Sequence, residues 1–302
     1  MILATPADSG RGSLGLEVPP EMDSQTVRRR CGGARACLPV ALKQRFGAQC
    51  CVMSSPGPPP RPAGCRFRPQ YLDFRKGIHV GNLEDDERIT RILKLALEAR
   101  YGESFVTERY GRGVYWRWIG FLARSNREAK PLSSHVSFGC AKFFLSVEPE
   151  EALFKCGLQV ERGIVAAPRG HCEWQLQKDW DWNRLIRGLR SSSALDAGLR
   201  RLSREGFHIL AGSWGSGGEA FGRARYPGAA KLKQLLLAAP ADEWAGLQVY
   251  YPMTEAEVRA TTGPDLVDAM LAAFDEVADV HNLLADKELF RKPSRTDTIL
   301  RK

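Results

Sequence analysis

The stretch Ala152-Leu153-Phe154-Lys155-Cys156-Gly157-Leu158-Gln159-Val160 decides the fold. Phe154, Cys156, Leu158 and Val160 fall on one side of an extended chain, with Lys155, Gly157 and Gln159 on the other. That is the two-residue period of a half-buried strand. Just upstream, Ala141-Lys142-Phe143-Phe144-Leu145-Ser146-Val147 reads as its hairpin partner, with Glu148-Pro149-Glu150-Glu151 as the turn.

The run from Val114 to Leu122 extends the same sheet, entered from a short strand over Val106–Tyr110 through Gly111-Arg112-Gly113. Its alternation places Trp116 and Trp118 on a face with Val114 and Leu122, and Tyr115, Ile119 and Phe121 on the other with Arg117. Both faces are largely apolar, so a central strand covered by helices on at least one side is expected. A polar connection spans 124–134, and a brief Ile164-Val165-Ala166 run follows Gly163.

Helical spacing surrounds this sheet. Asn82 is placed to cap a helix with Asp85 at its third position and the stripe Ile89, Ile92, Leu93, Ala96, stopped by Gly102. Asp181 is the expected cap of a helix carrying Trp182, Leu185, Ile186 and Leu189; Ser193 with Asp196 opens another with Leu195, Leu199 and Leu202. Gly212 to Gly222 reads as a glycine-rich loop, followed by a helix over Ala229–Ala238. Gln248–Tyr251 reads as a short last strand. Thr254 and Glu257 form a capping box with Met253 stapled to Val258, and Pro264 starts a closing helix that runs past His281.

The class expected is α+β: a central, mainly antiparallel sheet covered by amphipathic helices, in one domain over residues 71–290. Residues 291–302 read as a flexible C-terminal tail, and residues 1–70 as a disordered basic tail rich in Pro, Gly and Cys. Within the latter, a short helix over Val40–Phe46 lacks a matching apolar face, Arg28-Arg29-Arg30 reads as a solvated run, and Met22 or Met53 is a candidate true start.

Charge follows the same division. Of the formal net charge of +9, residues 1–75 hold eleven Lys/Arg against five Asp/Glu, and the remainder thirty-three against thirty. A body this close to neutrality needs a localised basic face before it can bind phosphate. Cys31, Cys37, Cys50, Cys51 and Cys65 lie in the front, Cys140, Cys156 and Cys172 in the body, and none falls in a CxxC pair. Neither a metal site nor a cofactor is expected from this spacing, even with His171 beside Cys172. No apolar run approaches the roughly 18 residues of a membrane span, no signal-peptide core is visible, and a reducing cytoplasmic setting is expected.

Two clusters carry binding chemistry. Arg109, Tyr110, Arg112, Tyr115, Trp116, Arg117 and Trp118 combine cations that neutralise phosphates with rings that stack on bases, the pattern of a single-stranded nucleic-acid surface. Within it, Arg109, Arg112, Tyr115 and Arg117 are the expected contacts. Burial in the core is the competing expectation for the two tryptophans. The second cluster is the loop with Gly215, Gly217 and Gly218, followed by Arg223, Arg225 and Lys231, where amides and cations would converge on a phosphorylated or carboxylate-bearing metabolite. It lacks the GxxxxGK[ST] pattern. His135 and His208 sit near strand ends as candidate bases, without an assignable nucleophile. The expected function is binding of an anionic ligand. An enzyme working through 212–231 and an oligomeric scaffold are the alternatives.

Overall fold

The period-two alternation of Phe154 to Val160 sits in a ten-residue strand near the middle of the molecule. A computed structural model describes residues 60–130, 139–165 and 180–291. Its strands are β1 (Leu72–Asp73), β2 (Gly77–His79), β3 (Phe105–Arg112), β4 (Tyr115–Ala123), β5 (Lys142–Glu148), β6 (Leu153–Arg162), β7 (His208–Ser213), β8 (Gly218–Phe221) and β9 (Ala245–Thr254). They form one sheet in the order β1-β2-β4-β5-β6-β9-β7-β8, with β3 paired to the other edge of β4. Every pairing is antiparallel.

The helices are α1 (Ile89–Tyr101), α2 (Arg124–Glu128), α3 (Asp181–Gly188), α4 (Ala194–Arg204), α5 (Ala229–Ala238), α6 (Glu255–Ala260) and α7 (Gly263–Leu284). The buried apolar side chains of α1 and α3–α7 join one cluster with Phe121, Phe143, Leu145, Phe154, Cys156, Leu158, Val160, Ile209, Leu247 and Val249. These strand residues share one face of the sheet, so the helical layer described lies on that face. The α+β class with a central antiparallel sheet is therefore observed. Burial of such side chains contributes roughly 1.5–3 kcal/mol each.

Several elements differ from the sequence reading. The last strand is ten residues long and lies between β6 and β7, because Gly246 and Pro252 hide a continuous ladder from Leu153–Thr254 to Arg162–Ala245. Gly157 has no room for a side chain beside the last strand: a Cβ there would sit 2.0 Å from the Val249 carbonyl oxygen. The glycine-rich stretch is a β7–β8 hairpin in which Gly212 pairs with Gly218. Asn82 does not cap α1; it has φ 54°, and the Glu84 carbonyl accepts the Glu87 and Arg88 amides, so the acidic run is a turn and Arg88 precedes the helix. Packing also reaches upstream of Tyr71. Phe67 is buried, and its carbonyl lies against Gly263. Ser193–Asp196, the Thr254–Glu257 capping box, Pro264 and the Gly102 stop stand as read.

Asp181 departs most. Its side chain does not cap its own helix; it turns inward, fully buried, and accepts from Asn126 Nδ2 at 2.8 Å, the Ala141 amide at 2.6 Å and the Asp286 amide at 3.1 Å, with Lys130 Nζ at 3.2 Å. One carboxylate thus joins α2, the entry to β5, α3 and the chain leaving α7. Nearby His281 is buried, with its ring 5.2 Å from that of Phe143. Burial pushes its pKa below the ordinary histidine value, against the attraction of Asp181.

Removing one partner from a buried ion pair leaves the other charge uncompensated, at about 3–5 kcal/mol. Asp181→Ala is therefore expected to lower the urea unfolding free energy by about that amount; a loss under ~1 kcal/mol would show that the site is not held together by this carboxylate. His281 is held neutral in the fold, so its contribution is full above the unfolded value of about 6.5 and is lost as pH falls below it, at up to ~1.4 kcal/mol per pH unit. Unfolding curves at pH 7.5 and 5.5 are expected to separate more for the native chain than for His281→Gln.

Candidate nucleic-acid interface

The face of the sheet opposite the helices carries a buried polar network beside Phe144. On it Lys142 Nζ, fully buried, contacts Glu161 Oε1 at 2.8 Å and Glu108 Oε2 at 3.2 Å. Gln159 Nε2 donates to Glu161 Oε2 at 2.6 Å, while Gln159 Oε1 accepts from Trp118 Nε1 at 3.0 Å and Gln248 Nε2 at 2.7 Å. The two carboxylates hold Lys142 well above its ordinary pKa despite the cost of burial. The network spans β3 to β9 and locks Trp118 into place. Sequence reading missed it because Lys142, Gln159 and Glu161 look like a solvated strand face; the clue was Lys142 and Gln159 standing opposite each other in the proposed hairpin.

At the β3–β4 tip the register shifts. Tyr110 pairs with Trp118 but Gly111 pairs with Trp116, leaving Arg117 as the extra residue of a β-bulge. The bulge reverses the alternation: Trp116 packs toward the helical core, opposite Ile78, while Trp118 stays on the polar face. The two tryptophans therefore do not share a face, and Tyr115 leaves the side of Ile119. Gly111 is required where it stands, since it has φ 153° and a Cβ would lie 2.5 Å from the Trp116 Cα.

The bulge divides the predicted binding residues between the two sides of the tip, with Arg109 on the side of Trp116 and Arg112 and Tyr115 on the side of Trp118. The Arg109 guanidinium lies 4.6 Å from the Trp116 ring centroid, and Arg112 pairs across from Tyr115. Tyr110 is 71% exposed. The Tyr115 ring meets His79 at 4.9 Å, His79 in turn meets Tyr71 at 5.9 Å, and Lys76 Nζ sits 5.5 Å from the Tyr115 centroid. Arg117 projects to solvent, with Glu150 at 3.7 Å. Lys76, outside the predicted set, arrives through the β1–β2 turn, where Asp73 Oδ1 accepts the Arg75 and Lys76 amides.

The second predicted cluster has a different arrangement. The Ser213 hydroxyl donates to Glu243, the Gly215 amide donates to Ser213 Oγ at 3.0 Å, and the Ser216 amide donates to Glu243 Oε2 at 2.8 Å. One amide, that of Ser216, thus meets the chain's own carboxylate, and the Gly215 amide meets the hydroxyl that this carboxylate holds. These hydrogen bonds hold the Glu243 pKa below the ordinary glutamate value. Gly217 has φ 96° at the hairpin turn, Gly218 belongs to β8, Lys231 pairs with Glu219 at 3.0 Å, and Arg223 and Arg225 are exposed. A separate open groove of about 500 Å³ runs along α4 beside Arg200, Arg201 and Arg204; Arg200 is paired with Asp196, and Arg201 with Glu205 and Glu276.

Of the candidate bases, His208 lies on β7 with its ring 5.7 Å from Tyr250, and burial together with Lys155 lowers its pKa. Burial pushes the Tyr250 hydroxyl up to about 12. His135, His171 and Cys172 lie outside the described residues, as do the readings placed on 1–59. Among the described residues there is no group of three His, Cys, Asp or Glu placed to hold a metal ion, and no helix is long and apolar enough to cross a membrane. Cys140 and Cys156 are buried, and burial raises both thiols to about 12. No protein-family model matches the chain, and a search of curated proteins finds no match.

Because Glu243 accepts the Ser216 amide, Glu243→Ala is expected to speed hydrogen exchange at Ser216 by at least about tenfold. The unfolding free energy should change by no more than ~0.5 kcal/mol, as for exposed positions generally. Unchanged exchange at Ser216 would mean the carboxylate does not hold this amide.

Proposed function

We propose that the chain binds single-stranded nucleic acid at the β3–β4 tip through Arg109, Arg112, Tyr115 and Arg117. The supporting observation is the bulge-built tip itself: Arg112 and Lys76 flank Tyr115 on the side away from the helices, Arg117 is exposed at the bulge, and Arg109 lies over Trp116 on the other side of the strand pair; among the described residues the ion pair made by these cations is the 3.7 Å Arg117–Glu150 contact between two exposed side chains. An exposed pair of this kind contributes little and yields readily to a competing phosphate. Glu108, the acidic residue within β3, is turned to Lys142.

Physical reasoning favours a polyanion here over a small metabolite. The cations are spread along a strand and a turn and do not line a concave pocket, so they match charges repeated along a backbone. Each phosphate contact releases counterions, and for single strands the slope of log affinity against log salt is about −0.7 per contact. In the glycine hairpin, the other predicted anion site, the Ser216 amide is already engaged by Glu243 and the Gly215 amide by Ser213 Oγ.

The double substitution Arg112→Ala/Arg117→Ala tests the reading. Binding of a fluorescent single-stranded oligonucleotide, measured between about 50 and 200 mM salt, is expected to weaken with a salt slope shallower by about 1.4, two contacts' worth. Unchanged affinity and slope would remove this surface from consideration.

A further inference from the structure

The ligand of this surface can be narrowed further, on the assumption that the preceding reading of the tip is right. We infer that Tyr110 is a base-stacking residue and Lys76 a phosphate contact, so that the site takes a nucleic acid with unpaired bases in preference to a duplex.

The argument begins with exposure. Tyr110 is 71% exposed on an edge strand, and no described residue forms a ring contact with it. Tyr115, by contrast, is braced by His79, and Trp118 is anchored to Gln159. The Trp116 ring carries the Arg109 guanidinium. Tyr110 is thus the ring at the tip whose faces remain open. An exposed aromatic side chain this large costs solvation unless something covers it, and a nucleobase is a planar cover of suitable size.

Its neighbours supply the charge. Pairing of Tyr110 with Trp118, and of Arg112 with Tyr115, puts Tyr110 and Arg112 on the same side of β3, two residues apart and so roughly 6.7 Å along the strand. A base on Tyr110 would place its flanking phosphate within reach of Arg112. Lys76 extends the cationic track across Tyr115, on a turn whose backbone is fixed by Asp73.

Base pairing decides the class of ligand. Inside a duplex each base has both faces covered by neighbours in the stack, and only phosphates and groove edges are presented. Such a ligand can meet Arg112 and Lys76 but cannot stack on Tyr110. A strand with unpaired bases can do both, and base–aromatic stacking adds affinity without depending on salt.

The test uses the full chain with Tyr110→Ala, Tyr110→Phe and Lys76→Ala, against one sequence presented as single-stranded DNA, as single-stranded RNA and as a duplex. Tyr110→Ala is expected to weaken single-strand binding on the order of tenfold to a hundredfold with the salt slope unchanged, and to leave duplex binding as it was. Tyr110→Phe should retain native affinity, because the ring is kept. Lys76→Ala should reduce the slope by about 0.7. The two single strands separate recognition of the 2′-hydroxyl from stacking common to both, and in either case Tyr110→Ala should be deleterious. Single-strand binding that ignores Tyr110→Ala would overturn the stacking role and leave the cationic surface standing. Equal loss on polyglutamate, which has no bases, would also overturn it. No binding by the native chain to any of the three would remove the reading on which this one rests. Because Tyr110 is exposed, an unchanged unfolding midpoint verifies that each variant is folded.

Discussion

The sheet is dry on one face and ionic on the other, and that asymmetry governs the molecule. Phe154, Cys156, Leu158 and Val160 face the helices, while Lys155, Gln159 and Glu161 face away. Since the period of a strand is two, a slip of one residue would drive Lys142 and Glu161 into the apolar layer and set Phe143 and Phe154 among the buried polar groups of the other face. The Lys142–Glu161–Gln159–Trp118 network makes such a slip doubly unfavourable, because each polar partner would lose its mate. A buried ion pair of this sort is poor evidence of net stability, but it specifies register, and here the register of β4, β5, β6 and β9 is what positions the tip.

How much of this was legible in the residues depends on whether local alternation survives. It does in Phe154–Val160, where Phe154, Cys156, Leu158 and Val160 alternate without interruption with Lys155, Gly157 and Gln159, and at Thr254–Glu257, where the cap chemistry is contained within four positions. It fails in β9. Gly246, Gln248 and Pro252 break the apolar count, although the strand is held on both sides by β6 and β7. It fails again in the glycine hairpin, since residues without side chains carry no period. Asp181 was misread for a different reason. A local rule assigns it to its own helix, whereas the node formed with Lys130, Asn126 and Ala141 spans segments 40 or more positions away, which outcompete a solvent-facing cap.

The proposed binding surface lay between these cases. Its composition was evident in Arg109, Arg112, Tyr115 and Arg117, but its geometry was not, because a single extra residue in β4 changes which rings lie together. Without the bulge, Trp116 and Trp118 would share a face and Arg109 would have no ring beside it. Bulges at sheet edges re-aim side chains in this way. The β1–β2 turn joins the surface only through the pairing of His79 with Tyr115, a tertiary relation that no spacing rule anticipates.

An exposed edge strand is also a liability, since its free backbone groups can pair with another copy. In β3 the two antiparallel registers that keep paired residues on a common face with the greatest overlap centre on Glu108 opposite Glu108, or on Arg109 opposite Arg109. Like charges directly opposite one another destabilise a strand pair. Glu108 is further drawn sideways to Lys142, and Gly111 kinks the strand one turn of the ladder later. The charge pattern that repels a second β3 does not repel a phosphate backbone, which brings negative charge to Arg109 and Arg112 and nothing to pair with the strand edge. On the proposed reading, repulsion of a second β3 and attraction for a polyanion would follow from the same few side chains, Glu108, Arg109 and Arg112.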